Sequence, residues 1–184
     1  MKKIAFSILV LGALASSQVM AQAYVAAGVG SGHSELDCAG TTSCNNNGTS
    51  FRVLGGYKFN DTFAAELGYL SFGEAKASVS GVDLKLTPKA VTLGVAARFP
   101  FATDWGFTAR LGVANVKTDV SGVVAGLGNA NLSDSKVAAH SGLGLDYALS
   151  SSLKLELTAD FSRATFRDGD FSVRAVNLGL SYHF

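Results

Sequence analysis

Histidine, cysteine and proline are scarce in this chain: three His, two Cys and two Pro in 184 residues. His33, His140 and His183 lie far apart, and neither Cys38 nor Cys44 has the His or Cys partners that would complete a ligand set, so no metal site is expected. No charge of one sign is in excess. Fifteen Lys and Arg face 14 Asp and Glu, and without Lys2 and Lys3 of the N-terminal segment the count is 13 against 14. That balance gives nucleic acid nothing to bind. Beyond the N-terminal segment there is no run of about 18 consecutive apolar residues, which excludes a transmembrane helix.

What is present begins with that segment. Lys2 and Lys3 precede an apolar run from Ile4 to Ala15. The run is too short to span a bilayer and has the length of a secretory signal's hydrophobic region. Small residues then offer two cleavage points, after Ala21 or after Ala23, and residues 1–23 are read as a signal peptide. Export makes a local disulfide between Cys38 and Cys44 the expectation, with two free loop thiols as the alternative.

The last nine residues carry the clearest pattern. Val176, Leu178, Leu180, Tyr182 and Phe184 alternate with Asn177, Gly179, Ser181 and His183. Period two is a strand with one oily and one small, polar face. Seven more such segments precede it, at about 24–31, 50–59, 63–71, 90–99, 105–116, 136–149 and 153–162. Short turns and long polar stretches separate them alternately. The long ones fall at about 32–49, 73–89, 117–135 and 163–171. In the second, Ala75, Ala77 and Val79 keep the oily parity of the preceding strand, and Val82, Leu84 and Leu86 alternate beyond Ser80-Gly81, like a hairpin projecting from the barrel. The following strand changes parity, so a bulge is expected near Pro88, where a missing N–H already breaks the ladder.

Sorted by parity, one face of the eight segments carries no charge below Arg174. The other holds Arg52, Lys58, Glu66, Arg98, Arg110, Asp146, Lys154, Glu156 and Asp160, with Gly and Ala between them. A soluble sandwich would also segregate charge. Two features favour a membrane barrel. Tyr57, Phe59, Phe63, Phe99, Trp105, Phe107, Tyr147, Tyr182 and Phe184 cluster at the short-turn ends, as an interfacial girdle does. The charged face is also rich in small residues, which suits a crowded lumen. In lipid, only a closed barrel pairs every strand N–H and C=O. The expected fold is an all-β, eight-stranded, antiparallel up-and-down transmembrane β-barrel. Eight strands make an interior just wide enough to be filled by side chains. Unpaired charges there would cost several kcal/mol each, so Arg52, Glu66, Arg98, Arg110, Asp146, Lys154, Glu156 and Asp160 are expected to form a paired network.

The block GGYKFNDTFAAELGYLSFG (residues 55–73), Arg110-Leu111-Gly112, residues 145–149 and the aromatic C-terminal strand resemble the OmpA-like small outer-membrane barrels. The resemblance covers most of the chain after the signal. It implies a Gram-negative outer membrane, lipopolysaccharide and lipid as surroundings, and an assembly signal at Tyr182 and Phe184 read by the barrel-assembly machinery. In that family a lumen Glu on the third strand is bound by a switching basic partner. Glu66 matches the Glu and Asp146 a second lumen acid, but the positions of the two switching basic residues are Ala96 and Glu156. The gate is therefore not carried over, and Arg110 is the remaining partner for Glu66. The chain stops with strand 8, so the family's periplasmic peptidoglycan-binding domain is expected to be absent.

Lipid A-modifying enzymes also occur among small barrels. Their deacylases use a His-x-Ser pair, whereas His140 and Ser141 are adjacent and point to opposite sides of the wall. No catalytic residue and no cofactor is expected. The expected function is a non-enzymatic outer-membrane barrel that displays surface loops, supports the envelope and is plugged by salt bridges. The alternatives are a small-solute pore and, less favoured, a lipid A-modifying enzyme. The apolar third loop and the charged fourth loop are candidates to meet lipopolysaccharide, a host surface or another protein. The alternative for the third is a hairpin packed on itself.

Overall fold

The structure is a computed structural model and describes residues 23–35, 43–79, 82–124, 128–166 and 169–184. The signal segment with both cleavage points, and Cys38, lie outside these residues. Cys44 is disulfide-bonded.

The strands are β1 (Ala23–Ser34), β2 (Ser43–Asn45), β3 (Asn47–Lys58), β4 (Phe63–Ser71), β5 (Ala75–Val79), β6 (Val82–Pro100), β7 (Trp105–Val124), β8 (Gly128–Ala148), β9 (Leu153–Phe166) and β10 (Gly169–His183). β2 prolongs β3 and β5 prolongs β4, so the ten pieces make eight staves. Every pairing is antiparallel. β1 pairs with both β3 and β10, and β6 with β7, which closes the barrel and leaves no sheet edge in its lower wall.

At the short-turn end the side chains dictate the geometry. Asn60 Oδ1 accepts from the N–H groups of Thr62 (2.9 Å) and Phe63 (2.7 Å), and the Ser150 Oγ accepts from those of Ser152 (3.3 Å) and Leu153 (3.0 Å). These are the local turns that Asn and Ser favour. Aromatic pairs ring the same end: Tyr57 with Phe59, Trp105 with Tyr147 at 5.0 Å, and Tyr182 with Phe184 at 5.2 Å.

At the other end the strands run further than their hydrophobic patterns. β7 and β8 stay paired from Trp105↔Tyr147 to Val124↔Gly128, so most of the stretch read as the third loop is hairpin. β9 and β10 likewise pair up to Phe166↔Gly169, through the stretch read as the fourth.

The bulge expected near Pro88 is not in β6, which keeps one unbroken register with β7 from Val82↔Val124 to Pro100↔Gly106. It lies in the partner, at Phe72–Glu74, where Gly73 adopts φ +86°. The Phe72 N–H donates to the Pro88 carbonyl at 3.0 Å, and Pro88 has no N–H to return the bond. The ladder therefore slips opposite the proline rather than at it. One inserted residue reverses the parity of β5. Ala75, expected on the oily parity, turns inward and is buried, while Lys76 and Lys85, directly opposite each other, turn outward around Glu74 (3.2 and 3.8 Å).

That reversal separates two zones. Through the lower barrel the outer face is apolar and exposed: Val25, Leu67, Leu93, Leu111 (71 % exposed), Leu157 and Leu178. So much contiguous bare hydrocarbon fits lipid and not water. Higher up, the outer face carries Asn115, Lys117, Asp119, Arg163 and Arg174. The inner face carries Val116, Val120, Ala164, Val173 and Ala175, all buried.

Candidate functional site

Three layers fill the interior. The lowest is at the short-turn mouth, where Arg98 grips Asp146 through Nε at 3.1 and 3.0 Å. Above it, Arg110, only 6 % exposed, donates from Nε to both oxygens of Glu66 (3.2 and 2.9 Å) and lies 3.6 Å from Glu156 through Nη2. The Tyr24 hydroxyl donates to Glu66 at 2.6 Å. Gly56, directly across from Tyr24, makes this reach feasible: a Cβ there would sit 2.2 Å from the Tyr24 ring. Higher in the same layer His140 Nε2 contacts Asp160 Oδ1 at 3.2 Å, and the Ser50 hydroxyl meets Asn177 Oδ1 at 2.6 Å.

The third layer is apolar. Leu70, Phe72, Ala90, Ala114, Val116, Ala164, Val173 and Ala175 form one buried cluster, with Phe171 packed against it. Phe72 reaches it because the bulge begins there. Around Arg52 two voids are small: about 20 Å³ beside Glu66, Leu70 and Asp160, and about 10 Å³ beside Glu156 and Asn177. Each admits no more than a water molecule.

The eight residues expected to pair do not all do so. Glu66, Arg98, Arg110, Asp146 and Glu156 join into ion pairs, and Asp160 takes His140 as its partner. Arg52 and Lys154 make no ion pair among the described residues. The Nη2 of Arg52 is buried without a hydrogen-bond partner. Arg52 and Arg110 project toward the same crowded centre, where Arg110 holds both nearby glutamates. Sequence reading also missed Tyr24, His140, Ser50 and Asn177. All four have inward parity, but nothing local tells which inward polar groups become partners across the lumen.

Outside the lipid zone the wall opens. The β8–β9 ladder stops at His140↔Ser162, although both strands continue. The Ser162 hydroxyl donates to the Ala139 carbonyl at 3.0 Å at the base of the split. Above it is a cleft of about 640 Å³ whose charged rim is Lys136, Arg163, Arg174, Glu35 and Asp170. Lys136 on β8 reaches Asp170 on β10 at 3.2 Å, and Arg174 lies 3.7 Å from Glu35. On the outer face of β7, desolvation pushes the Asp119 carboxyl up, but the hydrogen bonds and positive charges of Lys117 and Lys89 together outweigh it and hold the carboxyl below the usual aspartate range.

His140 and Ser141 point to opposite sides of the wall, His140 buried against Asp160. Among the described residues no group of three His, Cys, Asp or Glu could hold a metal ion.

Known proteins share this architecture. Ail, the attachment invasion locus protein of Yersinia pestis, superposes with a TM-score of 0.59 at 17% identity, covering 89% of this chain and 99% of that one. It has also been solved with the heparin analogue sucrose octasulfate. Neisserial surface protein A gives 0.61 at 16% identity (88% and 97% covered). The N-terminal barrel of Pseudomonas aeruginosa OprF gives 0.54 at 14% (89% and 98%). No curated protein sequence matches the chain. The sequence matches the OmpA-like transmembrane domain over residues 18–184, so this closed, lipid-faced barrel of eight staves belongs to the OmpA-like family of outer-membrane proteins.

Proposed function

We propose that the protein is a non-catalytic surface barrel whose sealed interior anchors an extracellular contact surface and braces the envelope. One observation carries the reading: an apolar layer lies directly over a layer of paired charges, and the void that touches both is about 20 Å³. Bulk flow would have to breach two chemically different seals. In planar bilayers the refolded protein should give no stepwise conductance. A reproducible conductance would defeat the plug and favour the small-solute pore.

The contact surface is the split above β8 and β9, where three cations face two carboxylates. Its partners are anionic saccharides such as those of lipopolysaccharide or a host surface. The complex of Ail with a heparin analogue supports this by analogy. Sucrose octasulfate should bind the refolded protein, and K136Q/R163Q/R174Q should weaken binding at least tenfold. Equal binding by both would remove the cleft from the proposal. Lipid A modification is the disfavoured rival, and over-expression should leave lipid A mass spectra unchanged. Cys44 pairs with Cys38 in the first long connection. Tyr182 and Phe184 act as the signal read by the assembly machinery, so deleting Phe184 should lower membrane insertion.

A further inference from the structure

The short-turn mouth of the barrel holds more positive charge than the plug uses. Its wall includes Lys58 at the end of β3, Arg98 on β6, Asp146 on β8, Lys154 on β9 and His183 on β10. Arg98 and Asp146 satisfy each other, and Glu156, just inside, is held by Arg110. That leaves Lys58 and Lys154. Both are half-buried, both have inward parity, and neither makes an ion pair among the described residues. The one other acid at this mouth, Asp61, sits on the exposed turn and bridges to neither lysine among the described residues.

Asp61, Asp146 and Glu156 line the same vestibule, but none is within ion-pair distance of either ammonium group among the described residues, so half-burying both costs free energy through desolvation and mutual repulsion. The plug gains nothing from them. The space between encloses only about 30 Å³ but is open toward the turns, so a group larger than water can enter part-way, with its remainder outside the mouth. The His183 ring, stacked on Tyr24 at 5.0 Å, closes part of the wall.

We propose that this mouth is an oxyanion site, in which Lys58 and Lys154 clamp a phosphate group entering from the periplasmic side. A phosphate monoester or diester has the charge and compactness that two mobile ammonium donors match. Arg98, neutralised by Asp146, forms the fixed floor behind it and adds no net charge. The phosphate comes either from solution or from the headgroup of an inner-leaflet phospholipid, since exposed Phe59 and Phe63 put this rim at interfacial depth.

The test uses the refolded full barrel in phosphate-free maltoside micelles, titrated with inorganic phosphate at constant ionic strength. Amide NMR shifts of Gly106, Lys154 and His183 should move saturably. K58Q/K154Q should weaken the apparent affinity at least tenfold, and K58R/K154R should retain it. A second arm compares nanodiscs of phosphatidylglycerol with nanodiscs of a neutral, phosphate-free glycolipid. Shifts reproduced by phosphatidylglycerol identify a headgroup, and shifts seen with soluble phosphate alone identify a free oxyanion. Shifts that rise linearly and match a chloride titration, with no difference between the two lipids, overturn the site. So do saturable shifts that persist unchanged in K58Q/K154Q.

Discussion

The lower and upper parts of this barrel use the same alternation with opposite polarity. On β7, Leu111 and Val113 face outward below while Arg110 faces inward. A few residues on, Asn115, Lys117 and Asp119 face outward while Val116 and Val120 are buried. β9 repeats the exchange between Phe161/Asp160 and Arg163/Ala164, and β10 between Val176/Asn177 and Arg174/Val173. The backbone barely registers the boundary, since β6 crosses it without a break in register. What changes is the solvent. In lipid the apolar face is turned outward and the polar groups must find partners inside. In water the apolar face turns in, as in a soluble protein. The interior consequently has two chemistries, charged where the wall is oily and apolar where the wall is polar.

Removing one partner from the lower layer should have the largest effect. Arg110→Met leaves Glu66 and Glu156 buried without their common cation and should destabilise the barrel by about 3–5 kcal/mol, read by urea unfolding in micelles. Adding Glu66→Gln should recover part of that loss. A double variant no more stable than the single one would mean the two residues are not coupled. In the upper layer, Phe72→Ala should cost about 3 kcal/mol through the cavity it leaves, with no partner variant able to restore it. Neither single change should produce conductance, because the other layer stays closed.

The outer face offers a third way to test the contrast. Leu111→Lys places a charge in the lipid zone and should cost about 2–4 kcal/mol. Asn115→Lys, one stagger higher on the same face, should be nearly neutral. Equal costs would remove the boundary drawn between them. The smallest effect concerns Asp119. Its carboxyl is held below the usual range, so its contribution is present at neutral pH, and is lost as pH falls through that lowered value. Asp119→Asn should change stability by about 0.5 kcal/mol or less and flatten only the acid end of the pH profile. A change of that profile near neutrality would point to another group.

Legibility followed the same boundary. Strand starts and stops at the short-turn end could be read almost to the residue, because Asn60, Ser150 and the flanking aromatics are local signals. The upper ends could not. Segments such as 117–124 and 128–135, which lack a regular apolar alternation, become strand only because each pairs with the other. Within the lumen, inward parity identified Glu66, Arg98, Arg110, Asp146 and Asp160 as interior charges. Parity is silent on which of them meet. It gave no warning that Tyr24 and His140 would supply partners while Arg52 and Lys154 would not.

The sequence by itself determined the class of this protein: period-two alternation, an uncharged stripe, aromatic ends and turn residues follow from the chemistry of each segment and its neighbours in the chain. The tertiary structure alone decided where the bulge fell, how far the hairpins rose, which charges paired and where the wall split. Those outcomes depend on groups far apart in sequence but facing one another across a lumen or a ladder. The Pro88 signal was local, and its consequence appeared on the opposite strand.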